Sequence, residues 1–361
     1  MSRMAKTAGP VTGGVDTHAG AHVAAVIDQV GRVLGTESFP ADEQGYARLL
    51  AWLRGHGELA RVGVEGTGSY GAGLARFLAA AGVLVLEVPR PDRQRRRRHG
   101  KSDAVDAVSA AAAALSGEDC GTPKSGDGAA ESIRALRVAR AGAMKARTQA
   151  GNQLRDLVTT APGQLRARLA GLSTSRRVRA ASAFTCGDAA DPAEGTMAAM
   201  ASVARRWQDL DAEVTQLEGA LEQLVARVAA PGYLALAGVG TQSAAALIAA
   251  AGDNPGRITS EAAFAALCGV SAVDCSSGKQ QRHRLNRGGD RQANSALWRI
   301  AVTRLRYDLR TQDYYARRVA AGKTHKEIIR ELKRYLAREA YRKLIRPGFL
   351  QPAVTPPAKA A

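Results

Sequence analysis

Cysteine is scarce and unpatterned. The 361 residues hold four, Cys120, Cys186, Cys268 and Cys275, with no CxxC pair and no zinc-knuckle spacing. That excludes a disulfide scaffold and a cysteine-based zinc fold, and reads as reduced thiols in a cytosolic protein. Aromatics are only 4%, too few for binding built mainly on base stacking. No apolar run approaches the roughly 18 residues of a spanning helix. The first residues, MSRMAKTAGP, lack the apolar centre of a signal peptide. The expectation is a cytoplasmic protein with no membrane partner. Acid is short relative to base: 33 Asp and Glu stand against 51 Lys and Arg, a net charge of +18. Such an excess favours a polyanion, nucleic acid before acidic membrane. At 45% hydrophobic residues the chain is no disordered basic tail.

What is present divides along the chain. Val11–His18, Val23–Val30 and Val33–Phe39 are β-prone, with Gly31 suited to a hairpin turn. Helical spacing from Tyr46 to Leu53, a strand at Arg61–Gly66, a helix around Leu74–Leu78 and a strand at Val83–Val88 follow. Three strands and then alternating helix and strand predict a mixed α/β domain. Ser102–Leu115 is Ala-rich and helical, with Ser102 as N-cap, and residues 116–130 have linker composition. A basic helix is predicted over Glu131–Leu157. Val203, Trp207, Leu210, Val214, Leu217, Leu221, Leu224 and Val228 alternate spacings of four and three, a heptad seam. Its partner is either the 131–157 helix or another copy. Beyond Pro231 the chain reads as mostly helical to about 346, with helices at Thr259–Leu267, Asn294–Arg306 and Lys323–Leu344. A glycine turn at Gly238–Gly240 enters a small-residue helix, a geometry able to hold phosphate. The Pro-rich end is expected to be disordered.

Four carboxylates draw attention. Asp16 lies in GVDTH on the first strand, and Glu65 in GVEGTG at the end of the fourth. Asp103 and Asp106 share one helix face at i,i+3. Gathered together they repel one another unless divalent cations intervene, and hard oxygen donors suit magnesium or manganese. Two ions about 4 Å apart bind the attacking and leaving oxygens of a phosphoryl transfer. The bland alternative is a set of solvated or capping acids. The adjacent basic run, with Arg90, Arg93, Arg95, Arg96, Arg97, Arg98 and Lys101, favours a phosphate backbone beside them.

Residues 268–297 read CGVSAVDCSSGKQQRHRLNRGGDRQANSAL. Ser276 and Ser277 precede Lys279, Arg282, His283, Arg284, Arg287 and Arg291. A serine hydroxyl is a weak nucleophile unless a base or charge stabilisation assists it, and clustered cations stabilise a phosphodiester under attack. A Ser-Gly turn is the ordinary alternative.

Over residues 11–345 the sequence resembles the DEDD-type transposases of the insertion sequence 110 family. The motifs that carry the resemblance are GVDTH, GVEGTGSYGAGLA, RPDRQRRRRHGKSDAVDA and the serine segment quoted above, in that order. The resemblance implies an α/β ribonuclease H-like (RuvC-like) domain over 1–120. It implies a linker and coiled-coil segment over 121–230, a mainly α-helical transposase domain over 231–346, and a tail over 347–361. It places Asp16, Glu65, Asp103 and Asp106 as magnesium ligands, with manganese as the substitute. It makes Ser277, or its neighbour Ser276, the nucleophile that links covalently to DNA. The expected partners are donor and target double-stranded DNA, a structured bridge RNA as guide, and further copies of the chain in a dimer or tetramer. The expected setting is the prokaryotic cytoplasm, at the nucleoid. One departure is visible: Ala272 stands where the family often has proline.

Overall fold

The computed structural model describes residues 9–89, 102–278, 283–284 and 286–349. The chain forms two units, Met1–Asp127 and Gly128–Ala361. Among the described residues no helix is long and apolar enough to cross a membrane.

The first unit is built on a five-stranded sheet. Strands β1 (Pro10–Thr17), β2 (Ala21–Ile27) and β3 (Val33–Pro40) form an antiparallel meander. The predicted hairpin turn is real: Asp28 accepts backbone N–H bonds from Val30 and Arg32, and Gly31 sits at φ 82°. Helix α1 (Glu43–Gly55) starts at Asp42, whose carboxylate caps Gly45. Strand β4 (Glu58–Glu65) then returns parallel to β1, and β5 (Val85–Val88) lies parallel to β4 after helix α2 (Ala72–Ala80). The sheet order is β3-β2-β1-β4-β5. This is the mixed α/β architecture expected for a ribonuclease H-like domain.

Alternation along the strands sorts the two faces. Val15, Val62 and Val64 pack with Leu49, Leu53, Leu74 and Leu78 of α1 and α2 in one core cluster. The opposite face carries Gly14 and Gly63, which pair directly across β1 and β4. Helix α3 (Asp103–Ser116) lies on that face. It approaches so closely that a Cβ on Gly14 would lie 2.0 Å from the Ala111 backbone nitrogen. One on Gly63 would lie 2.6 Å from the Ala110 carbonyl oxygen. Glycine in the strands and alanine on the helix (Ala107, Ala110, Ala111 and Ala114, all buried) are therefore one device. As predicted, Ser102 caps the helix by accepting from the Val105 N–H at 3.3 Å. Gly117, left-handed at φ 73°, ends it.

His22 on β2 is fully buried, its ring stacked on Tyr46 at 5.6 Å. Burial pushes its pKa below the ordinary 6.5, outweighing the nearby Asp16 charge. The unfolded chain therefore binds the proton more readily than the native one. Stability is complete above pH 6.5 and is lost as the pH falls from there through the lower native value. Chemical denaturation between pH 7.5 and 5 should show this slope in the wild type and a flatter one in His22→Phe.

The second unit is helical. α4 (Ala129–Thr160) and α7 (Pro192–Val228) run side by side. Arg140 pairs with Glu218 and Arg147 with Asp211, so rising numbers on one helix meet falling numbers on the other and the pair is antiparallel. The 4-3 seam of α7 is the side turned inward: Val214, Leu221 and Val228 are buried and its other members partly so. Of the two partners left open by the sequence, the helix of the same chain is the one seen. α5 (Gly163–Leu169) and α6 (Thr174–Ser182) close the far end of this pair around Leu154, Val158 and Met200. Neither has the sequence periodicity that announced the long helices.

After the single turn α8 (Pro231–Leu234), helix α9 (Thr241–Ala251) is buried along most of its length. It is the centre of the largest core cluster, packed by α10 (Glu261–Leu267), α11 (Arg291–Tyr307) and α13 (His325–Ala340). The Gly238–Gly240 turn serves packing: a Cβ on Gly238 would meet the Ile300 carbonyl at 3.1 Å, and the Val239 N–H is bonded to the Leu236 carbonyl. Between α11 and α13 lies α12 (Leu309–Ala320), which the sequence reading did not separate out. The predicted Lys323–Leu344 helix begins at a capping box on Thr324 and Glu327, and ends in a wider turn over Tyr341–Ile345.

Candidate metal centre and serine loop

Parallel pairing of β1 with β4 puts Val15 opposite Val64, so Asp16 and Glu65 follow as neighbours at the same sheet edge. Both lie on the α3 face, two residues on from Gly14 and Gly63. Asp16 is 7% exposed and Glu65 8%. The Thr17 hydroxyl donates to the Glu65 carbonyl oxygen at 2.9 Å and ties the two strand ends together. Beyond Glu65 the chain turns sharply at Gly66, φ 69°, into the N-terminus of α2.

The close seat of α3 brings its first turn to this edge. Asp106, one turn before Ala110, is 6% exposed. Asp103 is exposed, and its Oδ1 lies 3.4 Å from His18 Nε2, which is itself 3.1 Å from Asp16 Oδ2. Asp16, His18 and Asp103 each offer one donor atom, and these atoms lie within 4.8 Å of one another. Glu65 and Asp106 do not join this tightest group, though neither is without a partner. Sequence reasoning missed His18. Its signal was its place two residues after Asp16, the strand period carried one residue past the end of β1.

The donor set fits a divalent cation. Two carboxylates and an imidazole supply hard oxygen and borderline nitrogen, and a positive ion removes the cost of holding buried Asp16, Glu65 and Asp106 on one face. The expected cationic strip, Arg90, Arg93, Arg95, Arg96, Arg97, Arg98 and Lys101, lies outside the described residues.

The serine loop is pinched at its base. Gly269, φ 64°, and Gly289 cross so tightly that a Cβ on Gly289 would lie 2.2 Å from the Gly269 nitrogen. The Asp290 N–H donates to the Leu267 carbonyl at 2.6 Å. The Asn294 amide donates to the carbonyls of Cys268 and Gly269, both at 3.0 Å. From this clamp rises a short hairpin, β6 (Val273–Asp274) paired antiparallel with β7 (His283–Arg284). Its tip begins with Ser276 and Ser277, both exposed. The Ser276 hydroxyl and backbone N–H both donate to Asp274 Oδ1, the latter at 2.8 Å. Asp274, two residues before the serine pair, was not singled out in the sequence. Arg284, Arg287 and Arg291 stand on the returning side of the loop. Lys279 and Arg282 lie outside the described residues.

Residues 13–161 match the family model of the DEDD transposases of IS110 type. Residues 234–316 match that of the IS116/IS110/IS902 transposase family. The chain belongs to the IS110 transposase family. The first match spans the sheet and α3 and runs to the end of α4; the second spans the serine loop and the helices around it. A search of curated proteins finds no significant match. Like the family, this IS110 transposase is an enzyme acting on DNA. The resemblance read from the GVDTH, GVEGTG and serine-loop motifs is thereby borne out at the level of family and broad activity.

Proposed function

We propose that this transposase cleaves and rejoins DNA strands at the end of an insertion sequence through a metal-bearing carboxylate site and a covalent serine–DNA link, with a structured bridge RNA as guide. Asp16, Glu65, Asp103 and Asp106, with His18 beside them, would hold magnesium, or manganese in its place. Such an ion supplies charge stabilisation for the phosphoryl group under attack. The observation that supports this reading best is the meeting of Asp16 and Asp103 at His18, on a chain that matches both halves of the family in order.

In the second unit Ser277 is the nucleophile. Its Oγ attacks the scissile phosphorus, the Oγ–P bond forms, the bond from phosphorus to the 3′ oxygen breaks, and the serine proton passes to that oxygen. The product is a 5′-phosphoserine and a free 3′-hydroxyl. A 3′-hydroxyl of the partner DNA then reverses the step and joins donor to target. Arg284, Arg287 and Arg291, with Lys279, Arg282 and the Arg93–Lys101 strip, neutralise the phosphates on which this happens. Residues 1–120 form the RuvC-like catalytic domain, 121–230 the linker and coiled coil, 231–346 the transposase domain and 347–361 the tail. Strand exchange between two duplexes calls for a dimer or tetramer, working in the cytoplasm at the nucleoid.

The bond from Ser276 to Asp274 favours a second reading, in which Ser276 is the nucleophile and Asp274 its base. One experiment separates them. Incubation with donor DNA, target DNA and cognate RNA, followed by denaturing electrophoresis, should show a protein–DNA adduct in the wild type and Ser276→Ala and none in Ser277→Ala. An adduct that survives Ser277→Ala and disappears in Ser276→Ala assigns the chemistry to Ser276. An adduct absent from all three, with hydrolysed ends instead, marks a metal-dependent nuclease.

A further inference from the structure

At the base of the serine hairpin is a small cavity lined by Ser271, Ala272, Arg284, Asn286, Arg330 and Lys333. Its cations come from two places far apart in sequence. Arg284 stands on β7, opposite Val273. Arg330 and Lys333 are one turn apart on α13. No Asp or Glu lines the cavity among the described residues. Lys333 is 7% exposed, and its ammonium donates to the Asn294 side-chain oxygen at 2.9 Å, a neutral partner. That same Asn294 holds the neck of the loop through Cys268 and Gly269.

A buried ammonium whose hydrogen-bond partner among the described residues is a neutral amide is costly. Burial and the neighbouring Arg330 both push its pKa down. For a purely structural role an apolar side chain of the same length would serve better on this helix, whose neighbours Ile329, Leu332 and Leu336 are buried hydrophobics. The arrangement makes sense when an anion completes it. A phosphodiester is the anion a DNA transposase meets, and an opening flanked by two arginines with a lysine at its back matches one.

We propose that Lys333, with Arg330 and Arg284, forms a phosphate pocket that grips the DNA backbone at the base of the serine hairpin and fixes the register of the scissile strand. Ser276 lies four positions along the chain from Ala272, at the pocket, a reach of about 13 Å in extended chain. The pocket therefore holds a phosphate a few nucleotides from the one attacked, and Lys333 is a positioning residue. Asn294 couples the grip to the loop, because it bonds both the ammonium and the loop neck. This assignment rests on the serine-loop reading above, and its test is kept separate from that chemistry.

The full-length protein is compared as wild type, Lys333→Met, Lys333→Arg and Ser277→Ala. In the first arm, thermal unfolding is followed in inorganic phosphate and in chloride of equal ionic strength. Phosphate should raise the midpoint of the wild type, Lys333→Arg and Ser277→Ala, and leave that of Lys333→Met unmoved. In chloride Lys333→Met should melt no lower than the wild type, which excludes a folding defect. In the second arm, binding to a 30-base-pair duplex and to single-stranded RNA is titrated against salt. Lys333→Met should bind the duplex about tenfold more weakly, with the salt slope reduced by about one. Lys333→Arg should restore both. Equal phosphate response in Lys333→Met and wild type overturns the pocket. A lost phosphate response with unchanged duplex binding overturns its assignment to DNA, and a defect confined to RNA reassigns it to the guide. Failure of the serine chemistry would appear only in the adduct experiment, in Ser277→Ala, and would leave both arms here intact.

Discussion

Asp16→Ala should reduce strand exchange by about 10³-fold or more while leaving duplex affinity within about threefold of wild type. The size follows from where Asp16 sits. It is carried by β1, the central strand of the sheet, flanked by β2 and β4, so its position is set by the sheet and not by a loop. Its Oδ2 meets His18, which in turn meets Asp103. Removing it takes away the buried member of the donor group that, among the described residues, closes within 4.8 Å. The ion proposed for this group, which would supply several kcal/mol of charge stabilisation at phosphorus, would be lost with it. Duplex binding should be spared, because the cations proposed to grip the phosphates lie elsewhere in the chain. Manganese binding, read by paramagnetic resonance, should be lost in parallel with recombination. Recombination at the wild-type rate would remove Asp16 from the chemistry. Full manganese binding would remove it from the ligand set.

Gly14→Ala should be as damaging although it adds one methyl group. The new Cβ would lie 2.0 Å from the Ala111 nitrogen and 2.4 Å from the Ala107 carbonyl oxygen. These are backbone atoms of α3, so the helix as a whole must move. A loss of about 3 kcal/mol or more is expected, the upper end of overpacking. The displaced helix carries Asp103 and Asp106 away from Asp16 and Glu65, so metal binding should fall even at temperatures where the variant is folded. Gly13→Ala is the control. Its Cβ faces the other side of the sheet and meets the Leu53 methyls at 3.1 Å and the Val62 Cγ2 at 3.2 Å, which are side-chain tips that can shift. It should cost about 1 kcal/mol and leave metal affinity unchanged. Equal costs for the two glycines, by denaturant unfolding, would mean that α3 is not seated on the sheet as described.

The close seat of α3 also explains why a helix this poor in large side chains holds its place. Ala107, Ala110, Ala111 and Ala114 bury little area each, but they allow backbone to approach backbone. Contact over the glycine pair replaces the bulk that leucines provide on the α1 face. The sheet thus has one face built for stability and one built to bring a helix N-terminus, with its acids, to the strand ends.

Much of this was readable along the chain because it is periodic or local. Alternating strands, the glycine turn at Gly31, the cap at Ser102 and the 4-3 seam from Val203 to Val228 are patterns of near neighbours, and each predicted the element that is seen. The α/β-then-helical order was legible for the same reason, as were the family motifs around Asp16, Glu65, Asp103, Asp106 and Ser277. α5, α6 and α12 were not, since each is short and takes its place from packing against longer helices and not from a seam of its own.

Other features belong to tertiary structure alone. In the sequence Gly14 and Gly63 are two glycines in β-prone stretches, and only the register of β1 on β4 makes them one seat for α3. His18 becomes part of the candidate metal centre because α3 delivers Asp103 to it. Lys333 is one charge on a basic helix until folding buries it against Asn294, at the base of a hairpin some sixty residues earlier in the chain. The physical reason is common to all three. Secondary structure and capping are set by interactions a few residues long, whereas a site is set by which distant backbones can touch, and that is decided by the volume of the side chains lying between them.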